Sequence, residues 1–294
     1  LVFGLGIYGS AGMGVDYRDT DALFNGYSNL QIMKFAPTLA YNESNWGVGF
    51  APVIQYGSLD INYTDPAGDI SGNGMSTDLG YGFNLGGYFD VTPELTIGLA
   101  YQSAINMKYR DQISRAGDNL GLVGVFGDEL EQPAELKIGA AYTMGNMMYT
   151  ADFKQIAWGQ AKGYKDFNWE DQNVFALGAK FSGNGYWAGV GVNHAADPIK
   201  KVDDGTYPGQ ATDLFNNHFF PGIVETHITF GGGYELTNRM TLEGAVVYAP
   251  EVNKSVDTGT VSAALSGQPI PPNGTSHEVT HSQIGYTVSL RMNF

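Results

Sequence analysis

Apolar and polar side chains alternate along the last segment of the chain. Ile284, Tyr286, Val288 and Leu290 occupy every second position, and polar or small residues fill the positions between them. Because successive side chains of a strand point to opposite faces, this segment would have one apolar and one polar face. Such a strand at the end of a chain is typical of a barrel whose outer face meets lipid and whose inner face lines a lumen. A strand of a soluble all-β protein is the alternative.

The same alternation recurs along the whole sequence and predicts twelve strands. They cover residues 1–10, 29–42, 46–63, 78–89, 94–109, 133–143, 147–159, 172–182, 185–195, 223–236, 239–254 and 279–294. These segments are long enough, since a tilted strand needs about 9 to 11 residues to cross a bilayer. No run of apolar residues approaches the roughly 20 that a transmembrane helix needs.

Connections of two kinds alternate between the predicted strands. The short ones, near residues 42–45, 90–93, 145–146, 183–184 and 237–238, are rich in the turn-forming residues Asn, Gly, Asp and Pro. The long ones lie near residues 11–28, 64–77, 110–132, 160–171, 196–222 and 255–278. Outer-membrane barrels have short periplasmic turns and long extracellular loops. The predicted fold is therefore an all-β, antiparallel, transmembrane meander β-barrel, with residues 1–294 forming one domain.

Composition narrows the partners that this barrel could have. The chain has 294 residues, no cysteine and a formal net charge of −15. An acidic surface repels phosphate groups, so no nucleic-acid partner is predicted. Lack of cysteine avoids stray disulfides in an oxidising periplasm. We expect no cofactor.

Four segments carry a resemblance to a known family. They are Leu39–Phe50, Phe83–Ser103, Phe175–Trp187 and the hairpin Gly231–Tyr248, in this order. The chain resembles the FadL/TodX family of outer-membrane transporters for long-chain fatty acids and hydrocarbons. The resemblance implies a location in the bacterial outer membrane and passive diffusion of small hydrophobic molecules, with lateral or periplasmic exit. It further implies contact with membrane lipid and lipopolysaccharide, a monomeric state, and a protein that is not an enzyme. The C-terminal Phe294 is predicted to engage the barrel-assembly machinery.

The family barrel has fourteen strands and an N-terminal hatch, whereas twelve strands are predicted here. We expect Leu1 to lie at the family's third strand, so that segments 1–10 and 279–294 do not pair with each other. A closed twelve-stranded barrel is the alternative. Family members open laterally at a kink in an early strand, and glycines crowd the matching strand at positions 4, 6, 9, 12 and 14. Glycine permits a bend or bulge there, although close packing against glycine would explain the same residues.

The resemblance also implies an apolar groove in the loops, through which ligands reach the lumen. Its predicted ligand contacts are Leu120, Leu122, Val123, Val125 and Phe126 in one long loop and Phe215, Phe219 and Phe220 in another. Lys165 lies where the family can place a basic residue near a ligand carboxylate; a solvated surface lysine is the alternative. On the predicted lumen face, Val53, Met148 and Val247 would add apolar contacts. The charges on that face, such as Lys34, Glu135 and Arg291, are predicted to form bracing pairs.

Two rival functions follow from other features. His277-Glu278-Val279-Thr280-His281 matches the H-E-x-x-H zinc-protease pattern. That chemistry needs a helix, and histidines four apart on a strand lie roughly 13 Å apart, too far to share one zinc ion. Strand geometry therefore argues against the alternative hypothesis of a surface metalloprotease that uses His277, Glu278 and His281. A structural or adhesive barrel with acidic loops is the other alternative.

Overall fold

The computed structural model describes residues 1–65, 68–202, 204–272 and 274–293. The strands in this part of the chain are β1 Val2–Asp16, β2 Tyr27–Asn42, β3 Trp46–Thr64, β4 Ile70–Ser71, β5 Ser76–Asp90, β6 Leu95–Gln102, β7 Glu135–Met144, β8 Met147–Ile156, β9 Gln172–Ser182, β10 Tyr186–His194, β11 Thr226–Thr237, β12 Met240–Asp257 and β13 Ser276–Met292. The α-helices are α1 Ile113–Asn119, α2 Tyr207–Phe219 and α3 Gly259–Ser266, and short 3-10 turns cover Asp21–Leu23 and Tyr164–Phe167. The prediction for Phe294 falls on a residue outside the described ranges.

The long strands form one antiparallel meander. Each pairs with the next along the chain, and the two-residue strand β4 pairs with the end of β3. All twelve predicted strands are confirmed, and short turns alternate with long connections as expected. Within the described ranges β1 and β13 stand at the two ends of this order and do not pair with each other, which agrees with the expectation for segments 1–10 and 279–294.

The two faces of the sheet differ as the alternation predicted. The outer face exposes its apolar side chains; Tyr286 and Val288 of β13 are 72% and 78% exposed. Near the short turns this face exposes the aromatic residues Tyr41, Trp46, Phe89, Tyr142, Tyr186 and Tyr234, where an interfacial girdle lies in such barrels. The inner face of β2 and β3 is buried, as Leu30, Ile32 and Val53 show. None of the described helices is long and apolar enough to cross a membrane.

One predicted strand is too long at its outer end. The strand expected over 94–109 ends at Gln102, and the chain then leaves the barrel wall. Residues 103–109 pair instead with their own returning segment, through the bridges Ile105↔Gln132 and Lys108↔Glu129. Ile105, Met107 and Tyr109 continue the strand-like alternation, but their side chains are fully buried inside the structure. The predicted alternation of these side chains was therefore correct. The pattern did not predict that they pack inside the structure and do not face lipid.

A β-bulge interrupts the glycine-rich first strand. The register of β1 against β2 shifts between Gly9 and Ala11, which leaves Ser10 without an opposite residue. A bulge bends a strand and increases its twist. Of the two explanations for the glycines, a bend or bulge is present in this strand, and the lateral opening stays a prediction.

Candidate permeation site

The long connections fold together into an apolar mass, here called the loop core, on the inner face of the sheet at its long-loop end. Its buried members come from residues 105–130, 161–169 and 199–223, and it packs on Leu30 and Ile32 of β2 and on Leu59 and Ile61 of β3. Phe126 lies at its centre, with its ring centroid 4.8 Å from that of Phe167 and 5.0 Å from that of Phe215. Burying apolar surface contributes about 25 cal/mol per Å², so these loops gain stability by covering one another.

Hydrogen bonds tie the loop core to the wall and to itself. The Tyr63 hydroxyl of β3 donates to the Ala116 carbonyl of α1 at 2.8 Å, and the Tyr207 hydroxyl of α2 donates to the Leu120 carbonyl at 2.7 Å. Trp169 Nε1 donates to Asn216 Oδ1 at 3.0 Å. These bonds fix the orientation of α1 and α2 over the lumen.

The structure separates the predicted loop ligands into two groups. Leu120, Leu122, Phe126, Phe215, Phe219 and Phe220 are brought together in the loop core and buried. Val123 and Val125 are 77% and 50% exposed on the outer surface. Lys165 is also exposed, on the turn Tyr164–Phe167, and no salt bridge joins it to another of the described residues. The expected packing of loop hydrophobes is thus present for six of these side chains, and the ligand role of all of them stays a prediction.

Glycines in the wall let segment 103–109 lie directly against the sheet. A Cβ added at Gly80 would come within 2.6 Å of Ile105 Cγ2 and of Met107 Sδ, and 2.8 Å from the Asn106 carbonyl oxygen. A Cβ at Gly57 would collide with the Tyr109 hydroxyl. Real Cβ atoms do not approach other heavy atoms this closely, so the close approach requires glycine at both positions. Sequence reasoning missed Ile105, Met107 and Tyr109, although the glycines on the neighbouring strands were a usable signal.

A cavity of about 860 Å³ occupies the lumen next to the loop core. Strands β1 to β8, except β4, contribute to its wall, and small residues line much of it: Gly6, Ala36, Ala51, Gly86, Gly98 and Ala100. Tyr8 and Tyr88 add aromatic surface. Gly6 and Tyr8 belong to β1 close to its bulge, so the irregular part of the wall borders this cavity.

A second cavity of about 710 Å³ lies on the side of β7 to β12 and is more polar. Glu135, Lys137, Asp152 and Lys154 line both cavities. Lys137 pairs with Asp152 at 3.5 Å and Lys154 with Glu135 at 3.2 Å, so the predicted bracing pairs are present here. A further pair joins Arg291 to Glu243 at 3.7 Å.

The three predicted apolar lumen residues have different surroundings. Val53 is buried in the apolar cluster below the loops, whereas Val247 lines the second cavity. Met148 stands opposite Lys180 at the short-turn end and is 37% exposed. Their contact with a ligand stays a prediction.

The zinc-protease pattern lies on a strand. His277, Glu278 and His281 belong to β13, and the Glu278 side chain is exposed while its neighbours His277 and Val279 are partly or fully buried. Successive strand residues point to opposite faces, so the glutamate stands on the other face from the two histidines. In the described part of the chain no cluster of three or more His, Cys, Asp or Glu residues could hold a metal ion.

His277 instead forms part of a histidine pair that holds helix α2. His218 Nδ1 lies 3.2 Å from His277 Nε2, and Asn217 Nδ2 lies 3.1 Å from His277 Nδ1. The rings of Tyr17 and Phe24 enclose His218, with centroids 5.1 and 6.0 Å away. Burial, reinforced by the adjacent His277 imidazole, lowers the pKa of His218 from 6.5 to about 3.

We expect the loop core to loosen in acid. The neutral form of His218 is favoured in the folded state, so its contribution is complete above pH about 6.5 and is lost progressively as the pH falls toward about 3. At pH 5 the loss is about 2 kcal/mol. Limited proteolysis should therefore cut the loops faster at pH 5 than at pH 7. His218→Gln should reduce the difference in cleavage rate between pH 5 and pH 7, whereas His227→Gln in the lumen should preserve it. If the difference is unchanged in His218→Gln, groups other than His218 cause it.

Comparison with known proteins agrees with this architecture. Residues 1–204 match the model of a family described as "Outer membrane protein transport protein (OMPP1/FadL/TodX)". A FadL homologue of Pseudomonas aeruginosa is 14% identical, with 99% of this chain and 74% of that chain covered and a TM-score of 0.67. The toluene transporter TodX of P. putida is 16% identical, with 99% and 78% covered and a TM-score of 0.64.

A third solved structure, the toluene transporter TbuX of Ralstonia pickettii, is 15% identical, with 99% of this chain and 77% of that chain covered and a TM-score of 0.60. No curated protein matches this sequence. At such identities the solved structures establish the barrel fold, while the family model covers more than two thirds of the chain. The chain belongs to the OMPP1/FadL/TodX family of outer-membrane transport proteins.

Proposed function

We propose that this protein admits small hydrophobic molecules through the bacterial outer membrane by passive diffusion. The observation that carries the proposal is the 860 Å³ cavity, lined largely by Gly, Ala and Tyr and adjoining an apolar loop core. A porin for polar solutes has a water-filled, polar lumen. Here the outer end of the lumen is filled by apolar side chains, which favour an apolar solute over a hydrated one.

The proposed route starts at the outer surface. Exposed Val123 and Val125 offer the first apolar contact, and the buried residues of the loop core come next. A gap of only about 20 Å³ lies inside the loop core, between residues such as Leu120, Phe215 and Leu265. Because this gap holds no more than a water molecule, a solute that crosses the loop core requires the loops to separate. The bulged part of β1, which borders that cavity, is the proposed lateral exit, and the short-turn end is the alternative exit.

Two chemical classes of substrate are proposed. TodX and TbuX are described as toluene transporters, which makes a monoaromatic hydrocarbon a suitable first test molecule. Long-chain fatty acids are the second class. A carboxylate would gain from a cation, and exposed Lys165 remains the sequence-based candidate for that role.

We also propose which partners surround the barrel. Its exposed apolar face contacts outer-membrane lipid and lipopolysaccharide, the chain acts as one domain and as a monomer, and Phe294 engages the barrel-assembly machinery. Family members and the similar solved structures are transport proteins and not enzymes. No cofactor enters the proposed route.

Filling the lumen cavity should block uptake. Ala100 of β6 lines the cavity and stands opposite Lys137, so Ala100→Trp places an indole in the passage. Ile97 of the same strand faces outward, is 40% exposed and does not line the cavity, which makes Ile97→Trp the matched control. In cells with equal surface amounts of protein, we expect Ala100→Trp to slow toluene uptake about tenfold, equivalent to about 1.4 kcal/mol in the barrier, and Ile97→Trp to have little effect. Equal uptake by the wild type and both variants would favour the alternative function as a structural or adhesive barrel.

A further inference from the structure

Four polar side chains form a cluster where the lumen cavity meets the loop core. They are Lys34 of β2, Gln55 of β3, Asn84 of β5 and Gln102 of β6, here called the junction cluster. Lys34 and Gln55 stand directly opposite each other on paired strands, as do Asn84 and Gln102. Lys34 Nζ donates to Gln102 Oε1 at 3.0 Å and so joins the two pairs.

The junction cluster leaves several hydrogen-bonding atoms without a partner. Gln55 is 0% exposed, and among the described residues neither its Oε1 nor its Nε2 has a hydrogen-bond partner. Asn84 Oδ1 is likewise buried and unpaired. Lys34 is 4% exposed, and its ammonium group, which carries three donors, has one bond to a neutral amide. Buried polar groups in native proteins are normally paired, so the lack of partners for these atoms requires a physical explanation.

Two other lysines of the same lumen, by contrast, have carboxylate partners. Lys137 and Lys154 each pair with a carboxylate, at 3.5 and 3.2 Å. Within the described ranges no salt bridge reaches Lys34. Lys34 therefore differs from Lys137 and Lys154 in being buried without a carboxylate partner.

A ligand in the lumen cavity can reach this cluster. Asn84 and Gln102 line the cavity of about 860 Å³, and Lys34, which does not line it, is hydrogen-bonded to Gln102. The Tyr109 hydroxyl, which is also buried and unpaired, covers the cluster from the loop core beside Gly57. Lys34 and Gln55 are buried and lie behind this lining, so a bound molecule would have to insert its polar group past Gln102 toward Gln55, while its apolar body stays among Ala36, Ala51 and Ala100.

The unpaired atoms define which polar group fits. Gln55 Oε1 and Asn84 Oδ1 need a donor, whereas Lys34 Nζ and Gln55 Nε2 need an acceptor. A carboxylate is an acceptor only and would leave both amide oxygens unpaired beside its negative charge. A hydrocarbon satisfies none of the four atoms. A hydroxyl group both donates and accepts through one oxygen atom.

We infer that the junction cluster is a binding site for the hydroxyl group of an otherwise apolar molecule, an alcohol or a phenol. This inference rests on the proposed function, because it names a substrate class within the same lumen. It makes the protein selective for oxygenated hydrocarbons over the parent hydrocarbons.

Three ligands that differ in one substituent test the inference. Toluene, p-cresol and p-toluate carry the same ring and methyl group with hydrogen, hydroxyl or carboxylate opposite it, and a phenol stays neutral near pH 7 because its pKa is about 10. Equilibrium dialysis against proteoliposomes, with uptake by protein-free liposomes subtracted, measures binding of each. We expect the wild-type protein to bind p-cresol about tenfold more tightly than toluene, or about 1.4 kcal/mol. Binding of p-toluate should be no tighter than that of toluene.

Two variants assign this preference to the cluster. Gln55→Met and Lys34→Met remove polar atoms while nearly preserving side-chain length, so each should bring p-cresol binding close to the toluene level and leave toluene binding unchanged. Gln31→Met, on the exposed outer face of the same strand as Lys34, is the matched control and should change neither. Gln55→Met should also unfold no more easily than the wild type, because it removes two unpaired buried atoms.

Several results would overturn the inference. Equal wild-type affinity for toluene and p-cresol would remove the hydroxyl site and leave the proposed transport intact. Tightest binding of p-toluate, lost in Lys34→Met, would make the cluster an anion site. A parallel loss of toluene and p-cresol binding in Gln55→Met would show that the residue is only structural. If the wild-type protein binds none of the three ligands, the proposed function fails together with the inference.

Discussion

Replacing Leu122 and Phe126 together with aspartate should disrupt the loop core and slow hydrophobic uptake. Both side chains are buried in the loop core, at 1% and 4% exposure. Losing their packing and burying two unpaired carboxylates costs about 5 to 10 kcal/mol, more than a local loop assembly can absorb. We expect toluene uptake to fall at least about tenfold, because hydrated carboxylates replace the apolar path.

The barrel of this double variant should still assemble. Its strands are joined by their own hydrogen-bonded ladders, to which Leu122 and Phe126 do not contribute. For loop folding, Val123→Asp with Val125→Asp is the matched control, since those residues are in the same loop and exposed. Proteolysis should cut the loops of the first variant quickly and those of the control slowly. Unchanged toluene uptake by Leu122→Asp/Phe126→Asp, at equal surface amounts, would remove the loop core from the route.

Gly80→Val should displace segment 103–109 from the barrel wall. The new Cβ would meet Ile105 and Met107 side chains at 2.6 Å and the Asn106 backbone at 2.8 Å, so a backbone atom as well as flexible side chains must move. Overpacking of this kind costs about 1 to 3 kcal/mol or more. Valine is a good strand former, so the ladders of β5 should survive. We expect faster proteolysis within 103–132 and greater leakage of polar solutes through the lumen.

A glycine with open space beside its Cα atom supplies the control for this substitution. A Cβ at Gly285 of β13 would meet nothing within 4 Å, so Gly285→Val should leave proteolysis and leakage at wild-type levels. Tryptic cleavage sites mapped by mass spectrometry, with the polar-solute permeability of proteoliposomes, would read both effects. Wild-type protection of segment 103–109 in Gly80→Val would contradict the role assigned to the glycine-lined wall.

The sequence by itself determined the barrel. The period of 2 in segments such as Ile284–Leu290 reflects a local property, because alternate residues of a strand must face either lipid or lumen. Turn-forming residues and loop lengths then ordered the strands, since a meander needs only neighbours along the chain to pair. The bulge in β1 could also be anticipated, because its strand-weakening glycines lie two or three residues apart in the sequence.

Only the tertiary structure decided what the loops and the inner face do. The alternation of Ile105, Met107 and Tyr109 is the same for a strand in the wall and for one folded over the lumen, so the period could not distinguish them. Whether Leu122 is buried and Val123 exposed depends on residues from distant loops that meet only in three dimensions. The junction cluster is likewise invisible in sequence. Lys34, Gln55 and Gln102 lie on separate strands, and whether a buried polar atom is paired depends on every side chain around it.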